Sequence, residues 1–143
     1  MASILIADDD PLYDEDLKTM LDFELPHGVQ IAHTGCETLK LIDESGRPDA
    51  IVLDMMLPWD ENDARGGLPP DDARELKGLK VLEHLRGMRY DVRRVVAITA
   101  FYDPEAKKLL LDFGIDPKNI LIKPARTTEI LARIRAACSV PEN

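Results

Sequence analysis

The sequence predicts an α/β protein: a doubly wound, five-stranded parallel sheet in the order 2-1-3-4-5, with helices on both faces. Two observations support this prediction. Five short, continuously apolar segments rich in Ile, Leu and Val recur along the 143 residues, and segments with helical spacing alternate with them. Strands buried on both faces of a parallel sheet have this uninterrupted apolar character, and right-handed crossover helices connect them.

The five apolar segments are the predicted strands, because each is shorter than an ordinary helix. They cover Ser3–Ala7, Val29–Ala32, Ala50–Leu53, Arg94–Ile98 and Asn119–Ile122. The predicted helices cover Pro11–Glu24, Cys36–Asp43, Leu79–Arg86, Pro104–Phe113 and Arg126–Ala137. Asp10 is a typical N-cap for the first helix, and Gly114 is a typical stop for the fourth.

A long acidic insertion separates the third strand from the third helix. It occupies about residues 59–77, which hold six acids and three bases for a net charge of −3. Connections in folds of this kind usually take only a few residues. The regular spacing of leucines from Leu76 to Leu85 predicts that the third helix begins near Asp71.

Composition and charge limit the classes of function. A chain of 143 residues has room for one ordinary domain, and its net charge of −9 argues against direct binding of nucleic acid. No apolar run approaches the roughly 20 residues that span a bilayer, and the start of the chain does not resemble a signal peptide. We therefore expect a single cytoplasmic domain, residues 1–143, without membrane insertion.

Acidic residues follow the ends of two predicted strands that are neighbours in the sheet. Asp8 and Asp9 follow the first strand, and Asp54 follows the third. Their carboxylates should converge at the switch point of the sheet. Two carboxylates about 4 Å apart repel each other by roughly 4 kcal/mol at an effective dielectric constant near 20. Three can share a site around a hard cation, and oxygen ligands of this kind suit Mg²⁺.

Two further residues complete the predicted site. Thr99 supplies a hydroxyl group at the end of the fourth strand, and Lys123 supplies a compact positive charge after the fifth. An acidic cluster, a divalent cation, a hydroxyl group and a lysine together make a phosphoryl-transfer site. No histidine, cysteine or activated serine accompanies them in the sequence pattern, so a carboxylate should be the nucleophile and should form an aspartyl phosphate.

Four motifs make the chain resemble the receiver domains of two-component response regulators. They are the acidic pair in ILIADDDP, the aspartate in IVLDMMLP, the hydroxyl residue and small residue in VVAITA, and the lysine-proline pair in ILIKP. All four occur in order at predicted strand ends, and the resemblance covers the chain outside the insertion. It implies the flavodoxin-like receiver fold and a stand-alone regulator similar to those of chemotaxis.

The resemblance implies a phosphoryl-accepting switch that uses Mg²⁺. Asp54 would accept the phosphoryl group from a histidine kinase or a phosphotransfer protein. The metal would be held by Asp8, Asp9, Asp54 and the backbone carbonyl group of Met56. The domain would not be an enzyme, since it would assist only its own phosphorylation and dephosphorylation.

The resemblance also implies how the signal leaves the site. Thr99 would be the switch hydroxyl, Lys123 would bind the phosphoryl group, and Pro124 would follow a cis peptide bond. Phosphorylation would alter a face that binds an unknown downstream protein. The family's usual aromatic switch residue is replaced by Ile120, so this face would have to repack differently.

Two alternatives remain open at this point. The chain could be a pseudo-receiver, which keeps the fold and binds a partner without phosphorylation. It could also be the receiver domain of a longer regulator. The first alternative usually involves loss of the acceptor, an acidic residue or the lysine, and all of these are present in this sequence.

Overall fold

A computed structural model describes residues 2–9, 11–24, 27–63, 72–100 and 102–141. The strands are β1 (Ala2–Ala7), β2 (His27–Ala32), β3 (Ala50–Asp54), β4 (Val95–Thr99) and β5 (Ile120–Ile122). The α-helices are α1 (Pro11–Glu24), α2 (Gly35–Ser45), α3 (Gly78–Gly87), α4 (Pro104–Asp112) and α5 (Thr127–Cys138). All paired strands are parallel and follow the order β2-β1-β3-β4-β5, which confirms the predicted fold class.

The central strands are buried on both faces, as their apolar sequences require. Every residue of β3 and of β4 is buried. Because side chains alternate along a strand, Ile51 and Leu53 pack on one face with Leu82 of α3. Val52 packs on the other face with Leu17 of α1 and Ile134 of α5. The sheet therefore separates two apolar cores and leaves its strand ends to carry polar groups.

Local capping fixes the ends of the helix that follows β4. The carboxylate of Asp103 accepts a hydrogen bond from the backbone amide of Ala106 at 2.7 Å and caps the start of α4. Gly114 has a φ of +91° just beyond α4, which confirms the predicted helix stop. The predicted N-cap of α1, Asp10, lies outside the described residues.

The start of α3 differs from the prediction. The helix begins at Gly78, so the prediction that it begins near Asp71 is wrong, and a separate one-turn 3₁₀ helix covers Ala73–Glu75. Gly78 lies against the chain after β3, where an added Cβ would be 2.7 Å from the Cα atom of Met55. Leu76 is buried beside this contact in the apolar core. Packing against Met55, rather than the leucine spacing, fixes where α3 begins.

None of the described helices combines the length and the apolar character that a membrane crossing requires.

Candidate functional site

Three carboxylates converge at the carboxyl end of the sheet. Asp54 is the last residue of β3, and Asp8 and Asp9 follow the neighbouring strand β1. One carboxylate oxygen from each residue lies within 4.8 Å of the other two. The structure thus brings together the three acids that the strand pattern predicted to meet.

The acids differ in how far they are buried. Asp8 is fully buried, Asp54 is 3% exposed, and Asp9 is partly exposed. The backbone around them is tied to neighbouring strands: the amide of Asp8 donates to the carbonyl of Ala32 at 3.0 Å, and that of Met55 donates to Ile98 at 2.8 Å. Asp8 and Asp54 are therefore held on a rigid frame, while Asp9 faces the rim of the site.

Lys123 lies between the two buried acids. Its Nζ atom is 3.0 Å from Oδ2 of Asp8 and 3.2 Å from Oδ2 of Asp54. The backbone amide of Lys123 donates to the carbonyl of Thr99 at 2.9 Å, and the peptide bond from Lys123 to Pro124 is cis, as predicted. Lys123 therefore forms salt bridges with two buried carboxylates at once.

Met56 contacts the acceptor candidate through its backbone. Its amide donates to Oδ1 of Asp54 at 2.9 Å, so the two oxygens of Asp54 have different partners. The resemblance to receiver domains implies a role for the carbonyl of Met56 as a metal ligand, and that role stays a prediction. The amide contact has no sequence signal other than its distance of two residues from the acid.

Thr99 ends β4 at the same edge of the sheet. It is fully buried, and its Cα is paired with that of Ile122 in β5, one residue before Lys123. Ile120, which stands where the family's aromatic switch residue is usual, begins β5 and is half-buried. All five side chains assigned to the site from the sequence thus lie at the ends of β1, β3, β4 and β5.

Burial and the neighbouring charges together set the pKa values of Asp54 and Lys123. Burial, helped by the charge of Asp8, raises the pKa of Asp54 from 3.8 to about 6, although Lys123 and the amide of Met56 act to lower it. Burial also lowers the pKa of Lys123, but the charges of Asp54 and Asp8 outweigh this effect, and its pKa is raised overall. The lysine stays charged, and the cluster of acids has an excess of negative charge that favours a bound cation.

The segment that follows Leu57 is bound to the start of α2, which the sequence did not indicate. The carbonyls of Pro58 and Trp59 accept hydrogen bonds from the amides of Gly35 and Cys36 at 2.8 and 2.9 Å. The ring of Trp59 packs so closely on Gly35 that an added Cβ would be 2.5 Å from a ring atom. The ammonium group of Lys80 lies 4.8 Å from the centre of the same ring.

Curated proteins that resemble this chain in sequence are response regulators. No protein-family model matches the chain. Response regulator MprA of Mycobacterium tuberculosis is 37% identical over 133 residues, which are 93% of this chain and 49% of that protein. The chain therefore spans about half the length of the curated relatives that it matches.

Solved structures share the fold over almost the whole chain. The receiver domain of the Francisella response regulator 1452 has a TM-score of 0.72 and 26% identity, over 96% of this chain and 97% of that one. A response regulator from Burkholderia pseudomallei, solved with a phosphorylated aspartic acid, calcium ion and citrate, has a TM-score of 0.70 and 24% identity, over 97% of this chain and 69% of that one. With four motifs meeting at one edge of the sheet, the chain belongs to the receiver domains of response regulators.

Proposed function

We propose that this receiver domain is a phosphoryl-accepting signalling switch in which Asp54 is the acceptor. The observation that carries the proposal is the environment of this carboxylate. One oxygen of Asp54 contacts Lys123 at 3.2 Å, and two other acids lie close enough to share a cation with it. The donor would be a histidine kinase or a phosphotransfer protein.

Asp54 is suited to act as the nucleophile because Lys123 and Thr99 lie where they could bind the oxygens of a phosphoryl group on it. A carboxylate oxygen of Asp54 would attack phosphorus, and the bond from phosphorus to the donor nitrogen would break, with its electron pair leaving on the nitrogen. Lys123 would bind an oxygen of the arriving phosphoryl group, since its ammonium group already contacts Asp54. Thr99 would donate its hydroxyl group to a second oxygen.

The acidic cluster fits a divalent cation, for which we propose Mg²⁺. Asp8, Asp9 and Asp54 supply three carboxylates against the single ammonium group of Lys123 at this edge. The ion would be held by these acids and the carbonyl of Met56, and it would neutralise charge that develops on the phosphoryl oxygens. The related protein from Burkholderia pseudomallei contains both a calcium ion and a phosphorylated aspartic acid, which supports a cation in such a site.

The signal would leave through a face that changes when Thr99 moves toward the phosphoryl group. Ile120 would repack in place of an aromatic rotamer, and the face would bind an unknown downstream protein rather than nucleic acid. A pseudo-receiver without phosphorylation is not favoured, because the acceptor, both acids and the lysine are all present and in contact distance. That residues 1–143 form a single domain with an insertion at about 59–77 stays a prediction.

The test is labelling with acetyl phosphate in the presence of Mg²⁺, followed by intact mass spectrometry. We expect one phosphoryl adduct in the native chain, no adduct in Asp54→Asn, and about tenfold less in Asp9→Ala, which keeps the acceptor but loses a metal ligand. The matched control is Asp22→Asn, which removes an exposed acid of α1. An adduct that persists in Asp54→Asn would place the acceptor elsewhere, and labelling that ignores chelation of Mg²⁺ would refute the metal site.

A further inference from the structure

A second cavity, of about 370 Å³, lies at the opposite end of the sheet from Asp54. Its walls come from the segment before β3 and from the segment between α3 and β4. Three arginines line it: Arg47, Arg89 and Arg94. This is an unusual concentration of positive charge for a chain whose net charge is −9.

Two of these guanidinium groups donate hydrogen bonds to backbone carbonyls, although Asp49 and Asp91 line the same cavity. Arg94 donates to the carbonyl oxygens of Asp49 at 3.0 Å and Val140 at 2.7 Å, and Arg47 donates to the carbonyl oxygen of Met88. Within the part of the chain that the structure describes, none of the three forms a salt bridge. Their charges are therefore available to an anion.

The two carboxylates beside the cavity are already engaged. Asp91 accepts hydrogen bonds from the guanidinium group of Arg93 at 2.7 and 3.1 Å, and Asp49 accepts one from the backbone amide of Ser3 at 2.7 Å. Three guanidinium groups and two carboxylates line the cavity, which leaves a local charge of +1. The cavity is cationic even after its own acids are included.

The backbone of Arg89 adopts a conformation that L residues rarely take. Its φ is +57°, just after α3, where the amide of Tyr90 donates to the carbonyl of Leu85 at 2.9 Å and closes the helix. A side chain in this left-handed region is less favourable than glycine, because its Cβ approaches the following carbonyl oxygen. The chain thus carries a strained arginine at the wall of a cationic cavity, and strain of this kind is common at ligand sites.

An apolar groove of about 240 Å³ adjoins the cavity, because Arg89 and Tyr90 line both. Its other walls include Leu82 and Leu85 of α3, Val92, and Phe113 at the end of α4. The guanidinium group of Arg86 lies over the ring of Phe113, 4.5 Å from its centre. A ligand that reaches across Arg89 would meet positive charge on one side and apolar surface on the other.

We propose that this second site binds a small organic phosphate, a phosphomonoester with an apolar substituent. The phosphate group would lie between Arg47, Arg89 and Arg94, whose planar donors match phosphate oxygens. The apolar substituent would enter the groove beside Phe113. A volume of 370 Å³ is at the lower end of the range for ligand cavities and selects a small molecule.

The test uses the Asp54→Asn chain without Mg²⁺, so that the phosphoryl-accepting site does not contribute, and the outcome does not depend on the proposed function. Phenyl phosphate and inorganic phosphate are titrated, and amide shifts are followed by NMR. We expect shifts at Arg47, Arg89 and Tyr90, and a Kd for phenyl phosphate about tenfold below that for inorganic phosphate, since only the ester reaches the groove. Shifts confined to Asp8 and Lys123, or equal affinity for the two compounds, would overturn the proposal.

Arg89→Asn is the decisive variant, because asparagine tolerates the left-handed backbone and lacks the guanidinium group. It should raise the Kd for phenyl phosphate about tenfold or more while leaving the melting temperature unchanged or higher. The control is Arg135→Gln, which removes the same charge from the exposed side of α5. Equal weakening by both variants would reduce the effect to net charge and would overturn a built site.

Phosphate on a membrane surface is the other source of the same chemistry. Vesicles containing phosphatidic acid should not retain the chain on sedimentation, because its net charge of −9 is repelled by an anionic surface. Retention that Arg89→Asn abolishes would assign the cavity to a lipid and overturn the small-molecule proposal.

Discussion

The two ends of the sheet both bury charged side chains, but they compensate for the charge in different ways. At the carboxyl end, Asp8 and Asp54 share the single ammonium group of Lys123. At the amino end, the buried guanidinium group of Arg94 donates to two backbone carbonyls. The first arrangement places two carboxylates on one ammonium group, and the second places one guanidinium group on neutral carbonyl oxygens.

The difference lies in what the buried charge contacts: other charged side chains at the carboxyl end, and the backbone of two chain segments at the amino end. The two hydrogen bonds of Arg94 join the segments before β3 and after α5, so they stabilise the fold whether or not an anion is bound. The carboxylates, in contrast, repel one another and gain from any cation that arrives. We therefore expect opposite signs when the buried charge at each end is removed.

The largest effect is expected at the amino end, for Arg94→Met. Methionine fills part of the space but leaves the carbonyls of Asp49 and Val140 without their donor. The free energy of unfolding should fall by about 3 kcal/mol, since two hydrogen bonds to a charged group are lost. Urea denaturation measures this change. Arg93→Met, which removes an exposed partner of Asp91, is the control and should lose less than about 1 kcal/mol. Equal losses would show that Arg94 is not a structural contact.

The carboxyl end should respond with the opposite sign. The pKa of Asp54 is raised from 3.8 to about 6 on folding, so its ionised form destabilises the metal-free chain at neutral pH. Asp54→Asn should therefore raise the free energy of unfolding at pH 7 by about 2 kcal/mol in the presence of a chelator. The cost is fully present above pH 6, and it disappears as the pH falls below 3.8, where the acid is protonated in both states.

Urea denaturation at pH 7 and pH 5 checks this prediction. The advantage of Asp54→Asn over the native chain should be smaller at pH 5, and Asp22→Asn, which removes an exposed acid of α1, is the matched control. A variant less stable than the native chain at pH 7 would mean that Lys123 already compensates the carboxylates, and the contrast between the two ends would fail.

The smallest effect concerns Arg89 at the amino end, whose side chain makes no hydrogen bond or salt bridge to the described residues. Arg89→Gly should raise the free energy of unfolding by about 1 kcal/mol, because glycine relieves the left-handed backbone at φ +57°. Glu83→Gly, an exposed position within α3, should lose about 1 kcal/mol instead. Thermal denaturation separates the two, and a loss of stability in Arg89→Gly would show that its guanidinium group holds the fold.

Much of the fold follows from the sequence because short-range patterns dominate it. Strand β3 was predicted as Ala50–Leu53 and ends one residue later, and α1 has the predicted bounds. The convergence of the three acids follows from topology alone, since residues that end neighbouring parallel strands meet at one edge. The individual distances and the sharing of Lys123 between Asp8 and Asp54 required the structure.

Features that depend on contacts between distant segments were not predictable. The start of α3 is fixed by Gly78 against Met55, and no local pattern distinguishes this from a helix that begins earlier. The cationic cavity joins Arg47 to Arg89 and Arg94 across more than forty residues of sequence. In the sequence these arginines are separated by acidic residues and are typical of surface positions, so no local pattern predicts that they line one cavity.

The packing of the Trp59 ring on Gly35 has a practical consequence. Trp59 is the only tryptophan in the chain, so the tryptophan fluorescence reports on one place, where its ring contacts Gly35 of α2 and Lys80 of α3. Lys80 places a charge near the indole ring, and we expect a movement of that ammonium group to change the emission maximum. The molecule therefore carries its own optical probe five residues from Asp54, and its conformation can be timed in a stopped-flow instrument without any label.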